Sequence, residues 1–298
     1  KADKKNPDKI RNLKVSGRIT DSDFYFMRDS MAILEAVNLK ESKVVDVGMN
    51  EWIADADIDG DDCYERYYHA EKAVMNDVIP SYAFSGKQSL YYISFPENIV
   101  EIGESAFSSS SISGTLVIPD AVKTIRSSAF SNTNISSVQF PSSMQIIGEA
   151  AFSACSSLSG KLILPHTVTY IGSNAFVSCS FTGDLILPET LEYIGPMAFF
   201  HSGKYSGGLR IPDKIKVIKT NTFGSNWLYP FTGVLDLNNV EKIEYGAFDN
   251  CHFTGELVIP ENVIEIPEEA FTNNRFTSVI FPKSLKVIGK WAFVACSN

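Results

Sequence analysis

The apolar positions of this chain fall into one pattern that recurs from about residue 74 to the end. In the unit Thr115–Phe130 (TLVIPDAVKTIRSSAF), two apolar residues stand two apart and a proline follows; then come a valine, an isoleucine and an Ala-Phe pair. The stretches Lys161–Phe176 and Glu256–Phe271 align with it without gaps. The closing phenylalanines are Phe84, Phe107, Phe130, Phe152, Phe176, Phe199, Phe223, Phe248, Phe271 and Phe293, spaced 22–25 residues apart. Self-similarity at one fixed period is the signature of a solenoid, in which each unit forms one coil.

Each column of the pattern predicts a position in the coil. Ile118, Leu164, Leu187 and Ile211 share a strand face with the residues two before them, because side chains alternate across a strand. The proline after them (Pro119, Pro165, Pro188, Pro212) ends the strand, since it has no N–H for a ladder. An almost unvarying isoleucine follows (Ile102, Ile125, Ile147, Ile171 and onward), often with glycine behind it where the chain turns. The Ala-Phe pair is expected in a short helical turn. A further apolar column stands five residues later at Ile112, Ile135, Phe181, Phe253 and Phe276. About six inward residues per coil, each stabilising by roughly 1.5–3 kcal/mol when buried, do not offset an ordering cost near 1–2 kcal/mol per residue. A single coil is therefore unstable and a stack is required. Leu235–Val240 lacks the proline, which predicts a bend there.

The pattern resembles the BspA-type leucine-rich repeats of bacterial surface proteins, whose hallmark runs approximately L-x-I-P-x-x-V-x-x-I-G-x-x-A-F-x-x-C. The resemblance covers residues 74–298. It implies a leucine-rich-repeat solenoid, a right-handed and β-rich superhelix of about ten coils. It also implies a secreted or surface-anchored location and, by analogy with relatives that are adhesins, binding to a host protein or another cell.

Residues 1–73 break the period and read as an α+β N-terminal cap with atypical repeats: a strand at Asn12–Gly17, an amphipathic helix from Asp21 to about Ala36, and a strand at Leu34–Leu39. The chain starts at Lys1 rather than Met, so an upstream segment is expected, and it stops mid-repeat at Asn298, which reads as a truncation or a partly uncovered last coil. A formal net charge of −9 argues against a nucleic-acid partner, since no basic field exists to release phosphate counterions. No apolar run has the length of a membrane span.

Candidate chemistry is sparse. Cys155, Cys179, Cys251 and Cys296 stand three residues after a repeat phenylalanine, a column shared with Ser110, Thr133 and Asn274. They read as buried thiols lining the solenoid, with a Cys155–Cys179 disulfide as the alternative. Asp55, Asp57, Asp59 and Asp61 around Gly60 match the start of a calcium loop, but its twelfth position is Arg66 instead of a bidentate Glu. A solvated acidic loop is the expectation, with no metal and no cofactor. The four histidines fall in unrelated repeat positions and no serine has a partnered base, so no enzyme is expected.

Function is then expected in departures from the template. The strand residues between the two inward columns point outward: Ser94, Val117, Gln139, Ile163, Ile186, Arg210, Asp236, Val258 and Ile280. Ile163, Ile186 and Arg210 in neighbouring coils are the candidate contact residues for a protein or glycan. Phe200, His201, Trp227 and Tyr229 lie in the longest insertions, where they form a second, aromatic contact patch or pack locally over the coil near Asn238. The expected role is recognition or adhesion without catalysis. The alternative is a structural spacer, or a scaffold that self-associates end to end.

Overall fold

The structure, a computed structural model, describes residues 7–45, 77–225 and 231–296. Each coil has three sides: a front segment leading to the proline where one is present, a two-residue strand carrying the isoleucine, and an arc of turns carrying the Ala-Phe pair. The front strand runs up to the proline region in coils such as Ser113–Val117 and Thr254–Val258 but stops at Gly160 and Gly183 in two others. All strand pairs are parallel, as a solenoid requires. The isoleucine strands from Val78–Ile79 to Tyr193–Ile194 form one six-stranded sheet. Its register places Ile79, Ile102, Ile125, Ile147, Ile171 and Ile194 one above another, and all six are buried.

That ladder is interrupted twice, after Ile194 and after Ile243. In seven coils the residue following the isoleucine donates its N–H to the isoleucine carbonyl one coil back, as Gly103 does to Ile79 (2.8 Å) and Glu244 to Ile218 (2.9 Å). Behind Ile266 stands Pro267, which has no N–H to give, and the pairing of Glu265–Ile266 with Lys242–Ile243 is lost. The residue type at Lys219 does not account for the first interruption.

The Ala-Phe side differs from the short helical turn that the sequence predicts. Backbone N–H groups alternate there: Ala106 and Ser108 close three-residue turns onto Gly103 and Ser105, whereas Ser105 and Phe107 donate to Ser127 and Ala129 of the next coil. A helix would use every N–H internally and leave nothing for the neighbour. Turning alternate groups outward requires two left-handed residues four apart, such as Ser105 and Ser109, Asn174 and Ser178, or Glu269 and Asn273, all with φ between 49° and 57°. The inter-coil hydrogen bonds offset that backbone strain.

Inside the arc, the ten phenylalanines from Phe84 to Phe293 form a continuous stack with centroids 5.2–5.7 Å apart and ring planes within 19° of parallel. Alanine before each ring lets the coils approach; in the one exception, Thr222, the buried hydroxyl donates to Lys219 O at 2.9 Å. The column five residues on contains Leu158, Tyr205 and Phe231 in addition to those expected, all buried.

At the N-terminal end, β1 (Asn12–Ile19), α1 (Asp21–Ser30) and β2 (Ala36–Val44) precede the first repeat strands, β3 (Val78–Ile79) and β4 (Tyr92–Ser94). β2 lies between β1 and β4 in one parallel sheet, so the front face continues into this region. Thr20 starts α1, its N–H donating to Asp23 Oδ2 at 2.9 Å. The helix ends at Ser30, earlier than the apolar pattern predicts, because the chain turns at Met31–Leu34 to enter β2. α1 takes the place of an arc, with Phe24 edge-on against Phe84 at 5.9 Å. Tyr25 donates to Ser81 O, a carbonyl whose equivalent Glu104 O is satisfied by the preceding coil. In return Lys87, itself buried, donates to Arg28 O (2.7 Å) and Met31 O (2.5 Å) at the end of α1.

Candidate recognition surface

The front strands expose every second residue. Ile163 is 76% and Ile186 72% exposed, while Leu162 and Leu185 beside them are buried. Ile163 and Ile186 stand past the ends of the paired strands Ser159–Gly160 and Ser180–Gly183, so the strand that the sequence predicts for them does not form although the alternation of burial does. Val117, Val258 and Ile280 are also exposed in this column, so the strand neighbours do not cover it. Aliphatic side chains left in water beside well-packed inward columns are the informative kind of exposure. Arg210 continues the column but is already engaged: its Nη2 donates to Asp213 at 3.2 Å and its Nε lies 3.8 Å from Asp236. Asn238 holds this corner by donating to Ile211 O at 3.1 Å and to Asp213.

Phe200 and His201 lie elsewhere, on the arc. They are half-buried and stacked at 3.9 Å, with Phe200 close against Gly224. His201 occupies one of the left-handed positions (φ 53°), and burial lowers its imidazole pKa. The structure thus separates this pair from Ile163, Ile186 and Arg210. Trp227 and Tyr229 lie outside the described residues, as do Asp55, Asp57, Asp59 and Asp61. Among the described residues no helix is long and apolar enough to cross a membrane, and no three His, Cys, Asp or Glu side chains are placed to hold a metal.

Sequence reasoning missed a second strip, partly exposed. Tyr170 and Tyr193 stack face to face on the isoleucine sheet, 4.7 Å apart and within 8° of parallel, with Ile146 and Val217 in the flanking coils. The signal was the position before the isoleucine, which is apolar or aromatic in four consecutive coils. Charges on this side pair with one another: Arg126 with Glu101, Lys214 with Glu192, Lys216 with Glu241, and both Lys219 and Lys242 with Glu244.

The cysteine column serves the stack. The thiols of Cys155, Cys179, Cys251 and Cys296 each donate to the phenylalanine carbonyl one coil back, at 3.0–3.3 Å. Asn274 does the same to Phe248 O at 2.9 Å. All four cysteines are free, so Cys155 and Cys179 are not bridged, and burial raises their thiol pKa values, which keeps them unreactive. A parallel column past the proline was also missed: the hydroxyls of Ser143, Thr167, Thr190 and Ser284 each lie within hydrogen-bond reach of two carbonyls of the preceding coil, which share the one hydroxyl proton.

The sequence profile of the BspA type leucine rich repeat region matches in six copies over residues 77–206 and 231–298. The chain belongs to the BspA-type leucine-rich repeat family. Repeat proteins of this family and fold are typically non-catalytic. Among solved structures, the BspA-type chain is similar to a leucine-rich repeat protein from Bacteroides ovatus (19% identity over 97% of this chain and 77% of that one, TM-score 0.48). It is also similar to a T. pallidum leucine-rich repeat protein (25% identity, 61% and 72% covered, TM-score 0.38). A third similar structure is a leucine rich cell surface protein from Faecalibacterium prausnitzii (14% identity, 97% and 91% covered, TM-score 0.35). No curated protein matches the chain.

Proposed function

We propose that this BspA-type repeat protein is a non-enzymatic recognition module, located outside the cell or on its surface, that presents its front strands to a protein or glycan of a host or neighbouring cell. The observation that carries this reading is the pair Ile163 and Ile186, which leaves two aliphatic side chains of adjacent coils about three-quarters exposed on the front side. A column free to vary between coils, beside columns that are not, fits a surface under selection for contact rather than packing. The family supports the surface location.

The test is binding of the labelled chain to immobilised extracellular-matrix proteins and to cultured epithelial cells, alongside an Ile163→Ser/Ile186→Ser double variant. Loss of about tenfold in affinity, or roughly 1.4 kcal/mol, with an unchanged melting temperature supports the front face. Equal binding by both removes it.

The uninterrupted phenylalanine stack favours a second reading, a stiff spacer or self-assembling scaffold without a specific ligand. Concentration-dependent growth in sedimentation velocity, with no binding to either surface, is the outcome it requires.

A further inference from the structure

Charges of both signs stand around the front column, with acids in excess: exposed Lys161 and Lys283 take the places of Asp184 and Glu261 in the coils beside them. Ile186 is bracketed by Asp184 two residues before it and, just past the proline, by Glu189; Val258 is bracketed in the same way by Glu256 and Glu261. All four carboxylates are exposed, and among the described residues none of them is ion-paired. The position past the proline faces this column, since Asp213 reaches Arg210 from it. A shallow groove lined by Val258, Pro260, Glu261 and Ile280 runs along the same edge. Arg210, the cation in the middle of the column, is already neutralised by Asp213 and Asp236. On the isoleucine side, by contrast, Glu192, Glu241 and Glu244 each have a lysine partner.

The two acids of each pair flank one aliphatic residue within a single coil, whereas the pairs themselves stand three coils, roughly 14 Å, apart along the axis, beyond a screening length near 10 Å at 0.1 M salt. Within each coil the fields of its two acids add, and each pair attracts a cation locally. The isoleucines between them reward a partner that also brings apolar surface out of water.

We infer that the front face takes a cationic protein segment that carries apolar side chains, the acids flanking Ile186 and Val258 meeting its charges while Ile163, Ile186, Val258 and Ile280 meet its apolar residues. This rests on the reading of the front strands as the recognition surface. Arginine suits such a track better than lysine, because its guanidinium is weakly hydrated and lies flat on apolar surface while pairing with carboxylates. Polyanions, whether nucleic acid or acidic glycan, are repelled by the same field.

The experiment uses the full chain and three labelled twelve-residue peptides, alternating Arg-Val, Arg-Ser and Glu-Val, in fluorescence anisotropy at two salt concentrations. The Arg-Val peptide is expected to bind about tenfold more tightly than Arg-Ser and to weaken with salt; Glu-Val is expected not to bind. Asp184→Lys/Glu189→Lys is expected to weaken Arg-Val binding about tenfold. The control, Glu149→Lys/Glu268→Lys on the arc side, makes the same change in net charge and is expected to leave binding within about twofold. Equal weakening by both pairs means attraction to overall charge and overturns the inference. Binding of Glu-Val that is lost in Ile163→Ser/Ile186→Ser overturns it too, while leaving the front face as the recognition surface. Binding of Arg-Val that ignores every front-face substitution overturns both.

Discussion

Ile171 is stacked in register between Ile147 and Ile194 and has no exposed surface. Truncating it opens a cavity that coils fixed on both sides cannot close, so Ile171→Ala is expected to cost about 2–5 kcal/mol in denaturant melts. A loss below about 1 kcal/mol contradicts the inward assignment of this column. Asp249 presents an electrostatic case. Partial burial, with Glu269 nearby, raises its carboxyl pKa from 3.8 to about 6, against the opposing hydrogen bond from Asn250 Nδ2 at 2.7 Å. The folded pKa lies above the unfolded one, so the folded state holds the proton more tightly. Stability is then greatest below about pH 4 for this group and falls as pH rises to about 6, above which the ionised carboxylate is a constant cost. Asp249→Asn is expected to be more stable than wild type at pH 7.5 by about 1 kcal/mol, after discount for its solvent exposure. Melts at pH 4 and 7.5 check it: the advantage disappears at the lower pH.

Among the elements, the N-terminal strands and helix are held to the repeats by a shared core and by side-chain hydrogen bonds from Tyr25, Arg28, Lys87 and Ser89. Lys87 joins them by donating to two carbonyls at the end of α1, even though burial lowers its pKa. Lys87→Met retains the stem but strands both carbonyls, which is expected to cost about 1–3 kcal/mol. Limited proteolysis should then cut within 20–45 before the repeats; unchanged protection contradicts this anchoring role. The same elements show what the sequence could and could not convey. Front strands and isoleucine strands were legible because ten coils repeat the same alternation. The arc was misread as helical because its left-handed positions hold mostly Ser, Asn, Ala and other non-glycine residues, with glycine at only two of them, Gly86 and Gly246. Tyr205 and Phe231 were missed because the coils around them differ in length, which shifts both off the five-residue offset. The outward column of the candidate surface followed from strand alternation alone, whereas the engagement of Arg210 by Asp213 and Asp236 required the coils in register.

At the scale of the whole molecule, the coils share one core but not one ladder. The isoleucine sheet is continuous from Ile79 to Ile194 and broken before Ile218 and before Ile266. Local opening follows the density of inter-coil bonds. Amide exchange is therefore expected to be faster in 217–266 than in 101–194, by mass spectrometry under native conditions. Uniform protection along the chain contradicts a division at these breaks. The direction of the bonds between coils has a mechanical consequence. They run along the solenoid axis, so tension applied between the two ends loads them one coil at a time, as in a zipper, rather than all together in shear. Each coil that peels away releases about 23 residues, or roughly 75–80 Å of extended chain. Under flow or traction such a protein yields in steps at low force and lengthens, instead of holding rigidly until it fails at once.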